Sequence, residues 1–170
     1  MIFNLVDPKE LVGVDDCSHD LDRAELSSLL VENMFHYNGV GLSANQIGIQ
    51  ERAFVMMSDM ETQQTTVCFN PRIIKYYKDT DLMEEGCLSY PGVYVKIKRP
   101  RFIRVRFKDP YGNVCTKKFD GMAARVFQHE LDHLNGIEYF TRAHPIHLER
   151  FKRKWKKVLR LIKKAARLAK

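Results

Sequence analysis

The chain has 170 residues, 45% of them apolar and 29% charged, which is enough to bury one core and too apolar for a disordered polypeptide. No stretch approaches the roughly 20 apolar residues that a membrane span needs, and the start MIFNLVDPKE lacks the basic and apolar regions of an export signal. The net charge of +7 is unevenly placed: residues 150–170 hold eleven Lys/Arg and no Asp/Glu, so residues 1–149 are net acidic.

Leu26, Leu29, Leu30, Met34 and Tyr37 recur at helical spacing before Asn38-Gly39, so a first helix is expected from about Leu21 to Tyr37. Gly39-Val40-Gly41-Leu42-Ser43-Ala44-Asn45-Gln46 follows, too small and glycine-rich for simple core. Such a loop can pair with an extended peptide as an added strand, and Gln46 can donate to an oxyanion; the plainer reading is a helix cap and a turn.

From Arg52 to Val114 the text becomes β-rich (AFVMM, TTVCF, VYVKIK, FIRVRF), broken at Asn70-Pro71, Pro91-Gly92 and Asp109-Pro110-Tyr111-Gly112, which predicts a mainly antiparallel sheet. Asp120 offers an N-cap, Met122 to Leu134 an apolar helix and Gly136 its stop. In the tail, Phe151, Trp155, Val158, Leu159, Ile162, Ala166 and Ala169 fall on one stripe among Lys and Arg, the pattern of a strongly amphipathic helix. Ala143-His144-Pro145 is the nearest thing to a boundary, so residues 1–145 read as one domain and residues 146–170 as a helical extension of it. Cys17, Cys68, Cys87 and Cys115 form no CxxC pair, which favours free thiols in a reducing, cytosol-like compartment.

The strongest chemical signal is His129-Glu130-Leu131-Asp132-His133, because histidines four apart share one helix face and can share a metal ion. Glu130 is offset from that line, which leaves its carboxylate free to take a proton from a water. A catalytic site needs a third protein ligand. Downstream, the position that carries the last His of an HExxHxxGxxH site is Tyr139, and only Glu149 is far enough along to return as a carboxylate ligand. Upstream, Glu85-Gly86-Cys87-Leu88-Ser89 offers Cys87 as a thiolate after a glycine that permits close approach. A third arrangement is a closed structural zinc site in a basic RNA-binding protein, completed by Cys115 or His147.

GVGLSANQ, EGCLS and QHELDH, in this order and spacing, resemble the peptide deformylase family, and the resemblance extends over most of residues 27–142 through NPRI, YPG and HLNG. It implies an α+β fold: mixed, mainly antiparallel sheets around a central metal-binding helix, with an N-terminal helix and a basic amphipathic C-terminal helix. It implies that Cys87, His129 and His133 bind one divalent metal ion, Fe(II) foremost, with Zn(II) or Ni(II) compatible with the same donors. Glu130 would be the general acid/base, with Gln46 and the Leu88 amide as oxyanion donors. Gly39, Val40, Gly41, Met83, Gly86, Met122 and Val126 would line the substrate site. Around the metal, Asp132 and the backbone are the candidates to orient the histidines, and Glu85 is expected to pair with Arg99.

Two departures stand out: Ser43 where alanine is common, and Arg125 at a position that is apolar in some members, which predicts a polar pocket mouth. The implied reaction releases formate from N-formyl-methionyl nascent peptides in the cytoplasm of a bacterial-type or phage-infected cell, or in an organelle matrix. The basic tail is expected to meet ribosomal RNA near the exit tunnel, with lipid or its own domain as the alternative contacts.

Overall fold

Helix α1 (Arg23–His36) is started by Asp22, whose carboxylate accepts hydrogen bonds from the Ala24 and Glu25 amides at 3.0 and 2.9 Å. It stops where expected, with Asn38 at φ 53° and the Gly39 amide donating back to the Met34 carbonyl. The computed structural model describes residues 1–18 and 22–168, without the side chain of residue 166. Leu21, the expected first residue of the helix, therefore lies outside the described residues, as do Ala169 and the side chain of Ala166 in the tail stripe.

Seven strands follow: β1 (Gly41–Ser43), β2 (Ala53–Asp59), β3 (Gln64–Tyr76), β4 (Thr80–Cys87), β5 (Tyr90–Pro100), β6 (Phe102–Lys108) and β7 (Val114–Asp120). They form a five-stranded sheet in the order β1-β2-β3-β6-β7 and a separate β4-β5 hairpin, all paired antiparallel. Helix α2 (Gly121–Leu134) and the long helix α3 (Pro145–Leu168) complete the chain.

The run AFVMM is apolar at successive positions because β2 is covered on both faces. Phe54 and Met56 pack with Phe127, Leu131 and Leu134 of α2, whereas Ala53 and Val55 pack with Leu26, Leu30 and Met34 of α1. Strand β1, three buried residues long, is the sheet edge, so its outer side is free to pair with another chain.

Every residue of α2 from Ala124 to Leu134 is buried, including Arg125, Gln128, His129, Glu130, Asp132 and His133. That many polar groups inside a core require specific partners. Asp120 occupies the N-cap position but makes no side-chain capping bond; the turn depends on Gly121 at φ 50°.

A third core cluster joins β5 to α3 through Val93, Val95, Ile97, Tyr90, Tyr139 and Phe151. Phe151 is 2% exposed and stacks on Phe140 at 4.5 Å. The expected tail stripe is therefore divided: Phe151, Trp155, Val158 and Leu159 are covered wholly or in part, while Ile162 is 47% and Leu161 67% exposed. The first half of α3 packs into this third core cluster. No helix among the described residues is long and apolar enough to cross a membrane.

Candidate metal and active site

Helical spacing brings His129 and His133 together with their Nε2 atoms 3.1 Å apart. Strand β4 ends at Cys87, before the Leu88-Ser89 turn into β5, and this places the Cys87 Sγ 3.2 Å from His133 Nε2. The donor atoms of Cys87, His129 and His133 all lie within 4.8 Å of one another, and no other such group of His, Cys, Asp or Glu occurs among the described residues. Glu149 instead sits 4.0 Å from Lys152 on α3, and Cys115 lies on β7, so neither alternative ligand set is assembled.

Burial, then the carboxyl of Glu130, pushes the Cys87 thiol up to about 12. Burial, then His129, lowers the pKa of His133 well below the ordinary imidazole value. A sulfur and two imidazole nitrogens thus converge on one point. This set fits a divalent cation that accepts S and N donors, three protein ligands leaving one position open.

Glu130 is 4% exposed and its Oε2 has no hydrogen-bond partner. Burial, reinforced by Glu85, raises its pKa well above the usual carboxylate range. A buried carboxyl with a raised pKa beside a metal-ligand cluster is suited to general acid/base work.

Gly41 explains how that carboxyl reaches the site. A Cβ at Gly41 would collide with Glu130 Oε1, and would lie 2.9 Å from Glu130 Cδ and 2.8 Å from Val126 Cγ1. Gly41→Ala is expected to displace Glu130 and lower kcat by at least tenfold, with bound metal unchanged. Activity within twofold of wild type would show that the carboxyl does not need this approach.

Gln46 is held from both sides. Its Oε1 accepts from the Ser43 amide and hydroxyl, each at 3.0 Å, so its Nε2 faces the Ser89 hydroxyl at 3.0 Å and Cys87 Sγ at 3.6 Å. The Ser43 hydroxyl thus fixes the amide, a role alanine cannot supply. The N-terminal segment also holds this loop: the Val6 amide donates to the Gln46 carbonyl, and Asn45 Nδ2 donates to the carbonyls of Val12 and His133.

The histidine partner is Glu85 rather than Asp132. Glu85 Oε2 lies 3.1 Å from His129 Nδ1, and both its oxygens accept from Arg99 at 2.7 and 2.9 Å, the expected pair. Asp132 instead bridges Arg99 and Arg142 at 2.7 and 2.8 Å. Arg125 also corrects the sequence reading: it is 4% exposed, donating to Glu85 at 2.7 Å and to the carbonyls of Ile97 and Asp81 at 2.8 and 2.7 Å. It straps β4 and β5 to α2.

Burial would raise the Glu85 pKa, but His129 and Arg99 outweigh it and hold the carboxyl at about 2, against an ordinary 4.5. Because the folded value is depressed, this stabilisation is complete above about pH 4.5 and is lost as pH falls from there towards 2. Its upper size is about 3 kcal/mol. Glu85→Gln should flatten the decline of the urea midpoint between neutral pH and pH 3; an equally steep decline would remove Glu85 as its cause.

A cavity of about 670 Å³ opens on the cluster, lined by Gly39, Val40, Gly41, Gln46, Gly86, Cys87, Leu88, Arg125, Met122, Val126, His129 and Glu130, with Tyr90, Pro91 and Tyr94 across from them. Val40 and Met122, 46% and 40% exposed, are apolar groups left partly open there. Met83 is not among the lining residues; it stands on β4 opposite Ile97. The tyrosines carry no signal in the sequence, since an aromatic on a β-hairpin reads equally as core.

A model of the polypeptide deformylase family matches residues 10–149. The peptide deformylase of Thermotoga petrophila is 41% identical over 135 residues, covering 79% of this chain and 80% of that protein. Among solved structures, the peptide deformylase of Thermus thermophilus superposes with a TM-score of 0.85 at 34% identity, covering 96% of this chain and 99% of the other. That of Thermotoga maritima gives 0.78 at 34% identity, covering 85% and 99%. With its sequence, its fold and its Cys-His-His cluster in agreement, the chain belongs to the peptide deformylase family of metal-dependent hydrolases.

Proposed function

We propose that the chain hydrolyses the formyl group of N-formyl-methionyl nascent peptides in a cytoplasmic compartment, with Fe(II) held by Cys87, His129 and His133. The observation that carries this reading is the unpartnered Oε2 of Glu130 beside a three-donor cluster at the end of an apolar cavity. When bound, the ion supplies Lewis-acid chemistry, lowering the pKa of water and polarising the formyl oxygen.

The residues of the chain divide the remaining work. The peptide lies against the free edge of β1, its methionine side chain among Val40, Met122 and Val126. Glu130 takes a proton from the water that attacks the formyl carbon and returns it to the leaving amine nitrogen as the C–N bond breaks. Gln46 Nε2 and the Leu88 amide donate to the oxyanion that forms between those steps. Glu85, held by Arg99 and Arg125, keeps His129 in the orientation that presents Nε2 to the cluster.

The test is formate release from N-formyl-Met-Ala-Ser by anaerobically purified protein loaded with Fe(II), Ni(II) or Zn(II). Turnover is expected with all three and fastest with Fe(II). A fully loaded protein that releases no formate would overturn the reading.

We also place the ribosome as partner of α3, whose outer half beyond Leu159 is basic and uncovered. Deleting residues 160–170 leaves Phe151, Trp155 and Val158 in place and should keep peptide hydrolysis while lowering cosedimentation with ribosomes in low salt. Unchanged cosedimentation would sink the assignment.

A further inference from the structure

The outward face of β6 carries Arg104 and Arg106, since Ile103, Val105 and Phe107 point into the core beneath α2. Register then sets like charges directly against one another. Arg104 stands opposite Lys75 on one side and Lys118 on the other, and Arg106 stands opposite Arg72. Like charges directly opposed across strands destabilise a sheet. An outward face usually relieves this by interleaving carboxylates.

Here it does not. Among the described residues no ion pair is made by Lys75, Arg104, Arg106, Lys108 or Lys118. The neighbouring acids are otherwise engaged: Asp16 with Arg72, Asp81 with Arg101, and Asp109 with the Tyr111 and Asn113 amides of its own turn. Between Asp16, Asn70, Arg72, Ile74, Arg106 and Lys108 the surface sinks into a groove of about 470 Å³.

We propose that this face of the five-stranded sheet binds the phosphodiester backbone of RNA, on a surface separate from both the catalytic cavity and α3. A polyanion cancels the repulsion that the register builds in, and successive outward side chains on β6 stand roughly 7 Å apart along the strand, a row suited to a chain of phosphates. Cations cover two aromatic rings here: Lys118 lies over Tyr77 and Phe102 at 5.1 and 4.8 Å, Lys75 over Tyr77 at 4.9 Å and Arg101 over Phe102 at 5.3 Å. Ile74 and Val114, 51% and 54% exposed, are the apolar groups left open on the groove, so an anionic bilayer is the competing surface that the test separates.

The test uses the full chain, a labelled A-form RNA hairpin of mixed sequence and a salt series. The variant Arg104→Gln/Arg106→Gln/Lys118→Gln should weaken binding at least tenfold and flatten the slope of log K against log salt by about 2 to 3, at roughly 0.9 for each phosphate no longer neutralised. It should keep formate release and melt no lower than wild type, since repulsion is relieved. The variant Lys9→Gln/Lys96→Gln/Lys98→Gln, equal in net charge, should move Kd less than twofold. The proposal is overturned if the face variant binds as wild type does. It is also overturned if the control weakens binding equally, or if the face variant loses only affinity for phosphatidylglycerol vesicles.

Discussion

Glu130→Gln is expected to lower kcat for formate release by about 10²–10⁴-fold, the usual contribution of a positioned general acid/base, which amounts to about 3–5 kcal/mol of barrier. Glutamine keeps the shape of the side chain and neither accepts nor returns a proton at neutral pH. The change isolates proton transfer because Glu130 contributes no atom to the Cys87, His129 and His133 cluster, so bound metal should stay at the wild-type ratio. The new amide faces a cavity large enough for water, so it is not left buried without a partner. KM should move little, since Val40, Met122 and Val126 along the cavity are untouched. The idea fails if the metal-loaded variant keeps kcat within tenfold of wild type, because the raised pKa of Glu130 would then be a consequence of burial without use.

The ligands are legible in the amino-acid sequence because their chemistry is encoded locally: His129 and His133 are four apart on a helix, and Cys87 sits in a motif with its own glycine. The strand text also reveals the sheet, since β2 and β6 are runs of apolar or alternating residues whose period does not depend on distant neighbours. Partner choice cannot be read the same way. Asp132 adjoins His133 in sequence, yet helical geometry turns it towards Arg99 and Arg142, and the residue that reaches His129 comes from β4, 44 positions earlier.

Arg125 misleads for a related reason. A charged residue in an apolar helix suggests solvent, but three acceptors, a carboxylate and two strand carbonyls, meet it inside the protein. Such acceptors are contributed by backbone position, which side-chain pattern does not record. The tail shows the same limit in reverse: its stripe is continuous in sequence, while the domain is only long enough to cover the first half.

Cys87→Ala should abolish stable metal binding, and with it turnover. It removes the one anionic donor and leaves two imidazoles that cannot hold a divalent ion in a buried site on their own. The loss should exceed the 10–100-fold seen when only an outer partner of a ligand is changed. Metal analysis after gel filtration and a melting curve with and without chelator separate this from misfolding. An ion present at one hundred times its dissociation constant stabilises the native state by about 2.7 kcal/mol. At roughly 2–4 °C per kcal/mol for a chain of this size, that is about 5–10 °C of melting temperature. Chelation should therefore lower the wild-type Tm by about that amount and leave Cys87→Ala unchanged.

The same thiol sets the pH dependence of loading. Its pKa of about 12 in the metal-free protein means that binding expels a proton. Wild-type affinity should thus weaken about tenfold for each unit that pH falls below neutrality. A Cys87→Ala protein that keeps stoichiometric metal and the chelator-sensitive Tm would show that the two histidines have a different third partner, and the Cys-His-His assignment would be lost with it.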